Sequence, residues 1–204
     1  MKKLFTVVAI LAAMFVAGNV QAQMSVNVGY APEVITTNDN SANYQGFFAN
    51  LVYDINLAKN FGVAVGPQVR FNTKSESNEI LTVKTTMTHN QFLVDVPIMF
   101  NYRLNVTRDI NIAPFIGPML TYAISGNTKT TVDSPLGATT NTTNWYGDNS
   151  DYSRFNLNGV GGLALNYQNF KLFGGYSLGL LDLYKSDNVT IKTNSVFVGL
   201  GFAF

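Results

Sequence analysis

The sequence predicts an all-β fold: an eight-stranded antiparallel up-and-down transmembrane β-barrel with long extracellular loops and short periplasmic turns. Three observations predict it. Over eight segments the side chains alternate with a period of two, which is the mark of a strand. Within those segments every charge falls on the Gly/Asn/Ala face, while the opposite face is apolar from end to end. The connections alternate between short and long, the asymmetry of a barrel whose two ends face different compartments.

The closing segment is the clearest. Val196, Val198, Leu200, Phe202 and Phe204 share one face, and Ser195, Phe197, Gly199, Gly201 and Ala203 share the other. Gly199, Phe202 and the terminal Phe204 read as an assembly signal, with the barrel-assembly machinery as the expected partner during insertion. The other end reads as an export signal. Met1-Lys2-Lys3 is basic, Leu4 to Val16 is apolar and uncharged, and Val20-Gln21-Ala22 offers small residues for cleavage. The domain expectation is therefore a cleaved signal peptide over 1–22 and one barrel domain over 23–204.

Composition narrows the class. The chain has no Cys, which excludes disulfides, lipid attachment through Cys and thiolate metal sites. Charged residues are 12% of the chain, and loss of Lys2 and Lys3 with the signal peptide takes the net charge from +1 to −1. That gives nucleic acid no electrostatic purchase. No cofactor is expected.

The elements follow in order. Strand one, Met24 to Ala31, sets Val26, Val28 and Tyr30 on the apolar face. Strand two, Gly46 to Leu57, sets Phe47, Leu51, Tyr53 and Ile55 against Asn50, Asp54 and Asn56. Strand three, Phe61 to Thr73, sets Phe61, Val63, Val65, Val69 and Phe71 against Gly62, Ala64, Gln68 and Arg70. Strand four, Gln91 to Leu104, alternates Phe92 through Tyr102 with Asp95, Met99, Asn101 and Arg103. Strand five is Ile110 to Ile124, strand six Ser153 to Tyr167, strand seven Phe170 to Leu180, and strand eight the terminal segment. Ala58 to Asn60, Asn105 to Asp109 and Gln168-Asn169 are the short turns. Thr36 to Gln45, Lys74 to Asn90, Ser125 to Tyr152 and Leu181 to Asn194 are the long polar loops. The alternation continues upward through Thr82, Lys84, Thr86 and Thr88, so a hairpin is expected to project there.

Phe61 and Phe71 lie ten residues apart on one face, as do Phe92 and Tyr102. At roughly 3.3 Å per residue and a tilt of about 40°, that is about 25 Å, the height of a lipid-facing band. Tyr30, Phe47, Phe71, Phe92, Tyr122 and Phe155 would form an upper aromatic girdle. Phe61, Tyr102, Tyr167, Phe170, Phe202 and Phe204 would form a lower one. Pro67, Pro97, Pro114 and Pro118 lack the N–H that a closed ladder uses, so local bulges are expected at them.

Short motifs then carry a resemblance. Phe92-Leu-Val-Asp-Val-Pro-Ile with Tyr102-Arg103, Ala113-Pro-Phe-Ile-Gly-Pro118 and Tyr176-Ser-Leu-Gly-Leu-Leu-Asp182 resemble strands four, five and seven of the small outer-membrane β-barrel domain family. These are PorT-like relatives of OmpA/OmpX-type barrels. Gly175 stands where that family commonly has Arg, and Asn158 and Ala164 stand where Gly is common. The resemblance implies an integral protein of the Gram-negative outer membrane, with outer-membrane lipid around it.

The candidate site residues are few. Asp54, Arg70, Asp95, Arg103, Arg154 and Lys171 point inward and are expected to form a lumen charge network. Arg70 is expected level with Asp95, and Asp54 is expected to reach Arg103 past Gly62 and Ala64. Such a network reads either as a selectivity gate or as structural filling. Inward Phe48, Phe115, Phe173, Phe197, Met99 and Met119 add bulk, so the lumen is expected to be filled. Trp145, Tyr146 and Tyr152 in the longest loop either contact a ligand or fold back onto the barrel mouth. His89 is the single His; with Gln91 two places on, a His-x-Ser pattern is absent, and no enzyme is expected. The function expected is a non-enzymatic structural or surface-interaction role through the extracellular loops, toward an extracellular ligand or an envelope protein. A small gated porin-like pore, or an accessory of an envelope or secretion assembly, is the alternative.

Overall fold

The structure is a computed structural model that describes residues 22–38, 40–57, 59–135, 137–146, 150–184 and 190–204. The expected signal peptide, save Ala22, lies outside the described residues, as does Ala58 of the first short turn.

Among the described residues, twelve strands build eight staves. β1 (Ala22–Tyr30) and β2 (Glu33–Thr37) are the first stave, interrupted at Ala31-Pro32. β3 (Asn40–Asn56) is the second, and β4 (Phe61–Val65) with β5 (Gln68–Ile80) is the third. β6 (Val83–Tyr102), with β7 (Leu104–Asn105) as its tail, is the fourth. β8 (Ile110–Ser134) is the fifth, and β9 (Gly137–Asn144) folds back along its upper end. β10 (Phe155–Tyr167), β11 (Phe170–Gly179) and β12 (Ile191–Ala203) complete the wall. Each stave pairs antiparallel with the next, and β12 pairs with β1, so the ring closes. Closure removes the unpaired edges that a bilayer would not tolerate.

The wall is inverted relative to a soluble protein. Leu200 is 62% exposed and Ile116 69%, whereas Asp95 and Asn72 are 0% exposed. An apolar outer face with a buried polar interior is stable where hydrocarbon replaces water outside. The register sets the aromatics level. Tyr30, Phe47, Phe71 and Phe92 are direct cross-strand partners over four staves. Tyr167, Phe170 and Phe202 do the same at the other end, where the Phe170 and Phe202 rings sit 5.4 Å apart. These two belts are the girdles expected from the spacing.

Four details differ from expectation. Of the long loops, β5–β6 is the projecting hairpin expected at Thr82 to Thr88, whereas β2–β3 and β8–β9 are hairpins that were not expected; all three carry strand pairing well above the upper girdle. In β9 Thr and Asn occupy both faces and all are exposed, so the alternation that marks the wall is lost there, whereas at β2–β3 Glu33 and Tyr44 still keep one face buried. Second, Val65 lies in the outward row but is only 6% exposed, sitting between its cross-strand partners Tyr53 and Ile98. Third, the prolines do not bulge the ladder. Pro118 pairs with Gly159 and Pro114 with Leu163 without a break. Beyond the pair of Pro97 with Met119 the β6–β8 pairing lapses over Ile98 and Met99, but it resumes at Phe100 with Ile116 in the same register. The register shift between β6 and β8 falls at Phe92/Leu93, with Ile124 as the extra residue. Where Pro67 breaks the third stave, Gly66 lets the strands close up, since a Cβ there would collide with the Leu51 carbonyl. Fourth, the direct partner of Asp95 is Gln68, not Arg70.

Candidate functional site

The expected charge network divides into three places. The first is a plug high in the lumen. Asp95 accepts from Arg70 Nε at 3.2 Å, from Gln68 Nε2 at 2.8 Å and from Thr121 Oγ1 at 2.6 Å. Arg70 reaches it diagonally from one step up and donates through Nη1 to Glu33 at 3.3 Å. Glu33 also accepts from Asn72. Arg70 and Glu33 are 5% and 4% exposed, and the fully buried Asp95 completes the triad. Two carboxylates share one guanidinium, and side-chain amides and hydroxyls take up the remaining lone pairs. Buried charges persist only with that degree of satisfaction.

The second place is the floor, at the short-turn end. Arg103 Nη2 lies 2.6 Å from Asp54 Oδ1, and Arg103 also donates to Asn56. Gly62 makes room for this bridge across the intervening stave: a Cβ there would stand 3.2 Å from Asp54 Oδ1. Lys171 shares the floor and, among the described residues, belongs to no ion pair.

The third place is the upper rim, where Arg154 lies outside the ion-pair network. It donates to the carbonyls of Ala123, Ile124 and Tyr146 at 2.7–3.1 Å and covers the Tyr146 ring at 5.0 Å. Arg154 precedes the first residue of β10, so it ties the wall to the segment after β9.

Trp145, Tyr146 and Tyr152 fold back onto the mouth. The Trp145 N–H donates to the Gly126 carbonyl at 2.9 Å, and both rings lie over Gly126, where a Cβ would meet Trp145 Cε3 at 2.7 Å. Tyr146 Oη accepts from lumen-facing Gln91 at 2.8 Å, so the tyrosine lies over the plug as a cover. Burial pushes its phenol above the usual value. Ring contacts link Tyr44, His89, Trp145, Tyr152 and Tyr184 in a chain at 5.3–6.3 Å. His89 Nδ1 lies 2.9 Å from Thr128 Oγ1, which also accepts from Trp145 Nε1 at 2.8 Å. Burial lowers the His89 pKa. The imidazole is thus packed between two rings and hydrogen-bonded to a hydroxyl that the indole already engages. At the closing strand, the Phe204 N–H donates to the Met24 carbonyl at 2.9 Å, Phe202 pairs with Val26 and Gly199 with Gly29.

Sequence reasoning missed Glu33, Tyr44 and Thr128. Glu33 had a signal: it keeps the inward parity of Asn27, Gly29 and Ala31 across Pro32. Tyr44 keeps the parity of Phe48 in the same way. Thr128 had none, because its meeting with His89 depends on the register of β6 and β8 above the girdle. Among the described residues no cluster of His, Cys, Asp and Glu could hold a metal, and no helix is long and apolar enough to cross a membrane.

A family model described as "Outer membrane protein beta-barrel domain" matches residues 12–185. No curated protein matches the chain in sequence. Among solved structures, the chain is similar to Ail of Yersinia pestis in complex with the heparin analogue sucrose octasulfate. The identity is 17%, covering 90% of this chain and 99% of that one, with a TM-score of 0.48. Neisserial surface protein A is similar at 14% identity over 90% and 99%, TM-score 0.44. The outer membrane protease OmpT of Escherichia coli is similar at 8% identity over 92% and 97%, TM-score 0.41.

Proposed function

Because this chain belongs to the outer membrane protein beta-barrel domain family, its wall sits in outer-membrane lipid, and we propose that it serves as a non-enzymatic surface-interaction protein. One observation carries the reading. Above the upper girdle, β5, β6, β8 and β9 continue as a four-stranded sheet standing clear of the wall. Its two outer edges are unlike. The β5 edge carries Lys74, Glu76 and Glu79, charges that discourage strand addition. The β9 edge, Gly137–Asn144, has no charge and no Pro, and all eight of its residues are exposed. Such an edge fits an extended segment of an extracellular ligand or envelope protein by main-chain hydrogen bonding.

The lumen supports a closed barrel rather than a pore, since the Glu33–Arg70–Asp95 plug and the Tyr146 cover lie in series across it. The non-enzymatic reading is supported by His89, whose ring is packed between Tyr44 and Trp145 and whose Nδ1 faces a Thr128 hydroxyl that the Trp145 indole already engages. On this reading residues 1–22 serve as the export signal and 23–204 form the domain. Gly199, Phe202 and Phe204 are what the assembly machinery reads.

The test replaces 127–144 with a two-residue turn. Intact cells carrying that variant should lose attachment to surfaces that wild-type cells bind, with envelope resistance to detergent unchanged. Unaltered attachment together with a fall in solute uptake would overturn the surface reading.

A further inference from the structure

The lower half of the lumen has a lining that the surface role leaves unused. A barrel interior of this kind is normally polar. Here Phe48, Phe115, Phe173, Phe197, Met99 and Met119 give a mainly apolar wall to a cavity of about 130 Å³ that reaches up to Arg70 of the plug and is also touched by Asn27, Asn50 and Asn101. Met99, Met119 and Val160 are buried together, with Ala64, Phe115 and Phe197 packed against them. Apolar cavities of roughly 150 Å³ stay dry and take up a single aromatic ring. The cavity is not sealed. Asp54, Arg103, Asn166 and Lys171 line both it and a second, polar space of about 100 Å³ at the periplasmic mouth.

The charges along this path are ordered. At the top of the lumen two carboxylates face one guanidinium. At the floor two cations, Arg103 and Lys171, face one carboxylate. Arg103 already holds Asp54 Oδ1 at 2.6 Å, and Lys171, though Asp54 attracts it, makes no ion pair of its own among the described residues. A part-buried ammonium without an ion pair of its own is costly, and a carboxylate placed beside it would relieve that cost.

We propose that the lower lumen is a binding site for a small amphiphilic carboxylate that enters from the periplasm. Its apolar body, about the size of one aromatic ring or a six-carbon chain, fills the phenylalanine-lined cavity. Its carboxylate accepts hydrogen bonds from Lys171 at the floor. The plug above blocks onward passage, so the site stores or senses its ligand and does not transport it. This site lies at the opposite end of the barrel from the β9 edge and stands independently of that reading.

The experiment uses the full mature chain in lipid nanodiscs and follows 4-fluorophenylacetate by fluorine NMR. Wild type should bind it saturably. Lys171→Met should weaken binding at least fivefold, and 4-fluorotoluene, which lacks the carboxylate, should bind wild type and Lys171→Met alike. Ala64→Leu fills the cavity and should abolish binding of both probes. The heat-dependent gel shift checks that each variant is folded, and Val160→Leu replaces Ala64→Leu if the latter does not fold. Absence of saturable binding to wild type overturns the proposal. So does equal affinity of Lys171→Met for the carboxylate, or unchanged binding in folded cavity-filling variants.

Discussion

Arg70 is the side chain on which the closed upper lumen depends. It holds Asp95 and Glu33 together, each at most 5% exposed. Arg70→Met would leave two buried carboxylates without a cation, and breaking such a pair costs about 3–5 kcal/mol. Urea unfolding of the refolded protein in vesicles should show a loss of that size; a loss under about 1 kcal/mol would mean that the plug is hydrated and not a closed network. His89 is the second decisive residue, because it lies 6.0 Å from the single tryptophan, Trp145. Its pKa is lowered, first by burial. A base with a depressed folded-state pKa favours the fold fully above its unfolded value of about 6.5, and that contribution is lost as pH falls below it. Trp145 fluorescence should therefore drop on acidification below about pH 6.5, as imidazolium quenches the ring and loosens the stack. A His89→Gln variant should show no such transition, and a transition that persists in the variant would assign it to another group.

At the scale of elements, the strands inside the membrane were legible, and above it only the β5–β6 hairpin was, through the alternation over Thr82, Lys84, Thr86 and Thr88. Within the wall, one face touches lipid and the other the lumen, so parity carries a chemical signal in every stave. Above it, the upper end of β8 and all of β9 meet water, and Thr after Thr gives only a β preference with no phase. The same logic explains Val65, whose outward row was read correctly but whose cover by its neighbours on β3 and β6 depends on packing that parity does not encode. Ile116 is the better mid-wall probe, since it is outward, 69% exposed and six residues below Tyr122. Ile116→Arg should cost about 2–4 kcal/mol in a bilayer, whereas Thr139→Arg on β9 should stay within about 0.5 kcal/mol. Equal costs would contradict the facing of β8. Just past β12, removal of Phe204 should slow insertion and lower the folded fraction seen on unheated gels. Full assembly without it would take the terminal residue out of the recognition signal.

At the scale of the whole molecule, ring closure and the two aromatic belts followed from spacing alone. The family match agrees with that fold class. The contents of the lumen were less legible. Parity placed Asp54, Arg70, Asp95, Arg103 and Lys171 inward, yet which of them meet depends on shear between staves, and the sequence does not print shear. Hence Arg70 was expected level with Asp95 and instead reaches it on a diagonal. Planar-bilayer recording should show no steady ionic current through the wild-type protein, because the plug and the Tyr146 cover stand one above the other. A sustained current would show that they part together.

The upper rim is not level. β6 runs nine residues past Phe92, to Val83, whereas β10 begins at Phe155 in the girdle itself. At about 3.3 Å per residue the β6 flank rises roughly 30 Å along the strand, while β10 stops at the girdle and β12, paired there with β2, rises less far, from Val198 to Ile191. A barrel so built has a bearing, like a sail stepped on one gunwale. Whatever reaches the β9 edge must come from the tall quarter, and each copy can rotate in the plane of the membrane until that quarter faces its target.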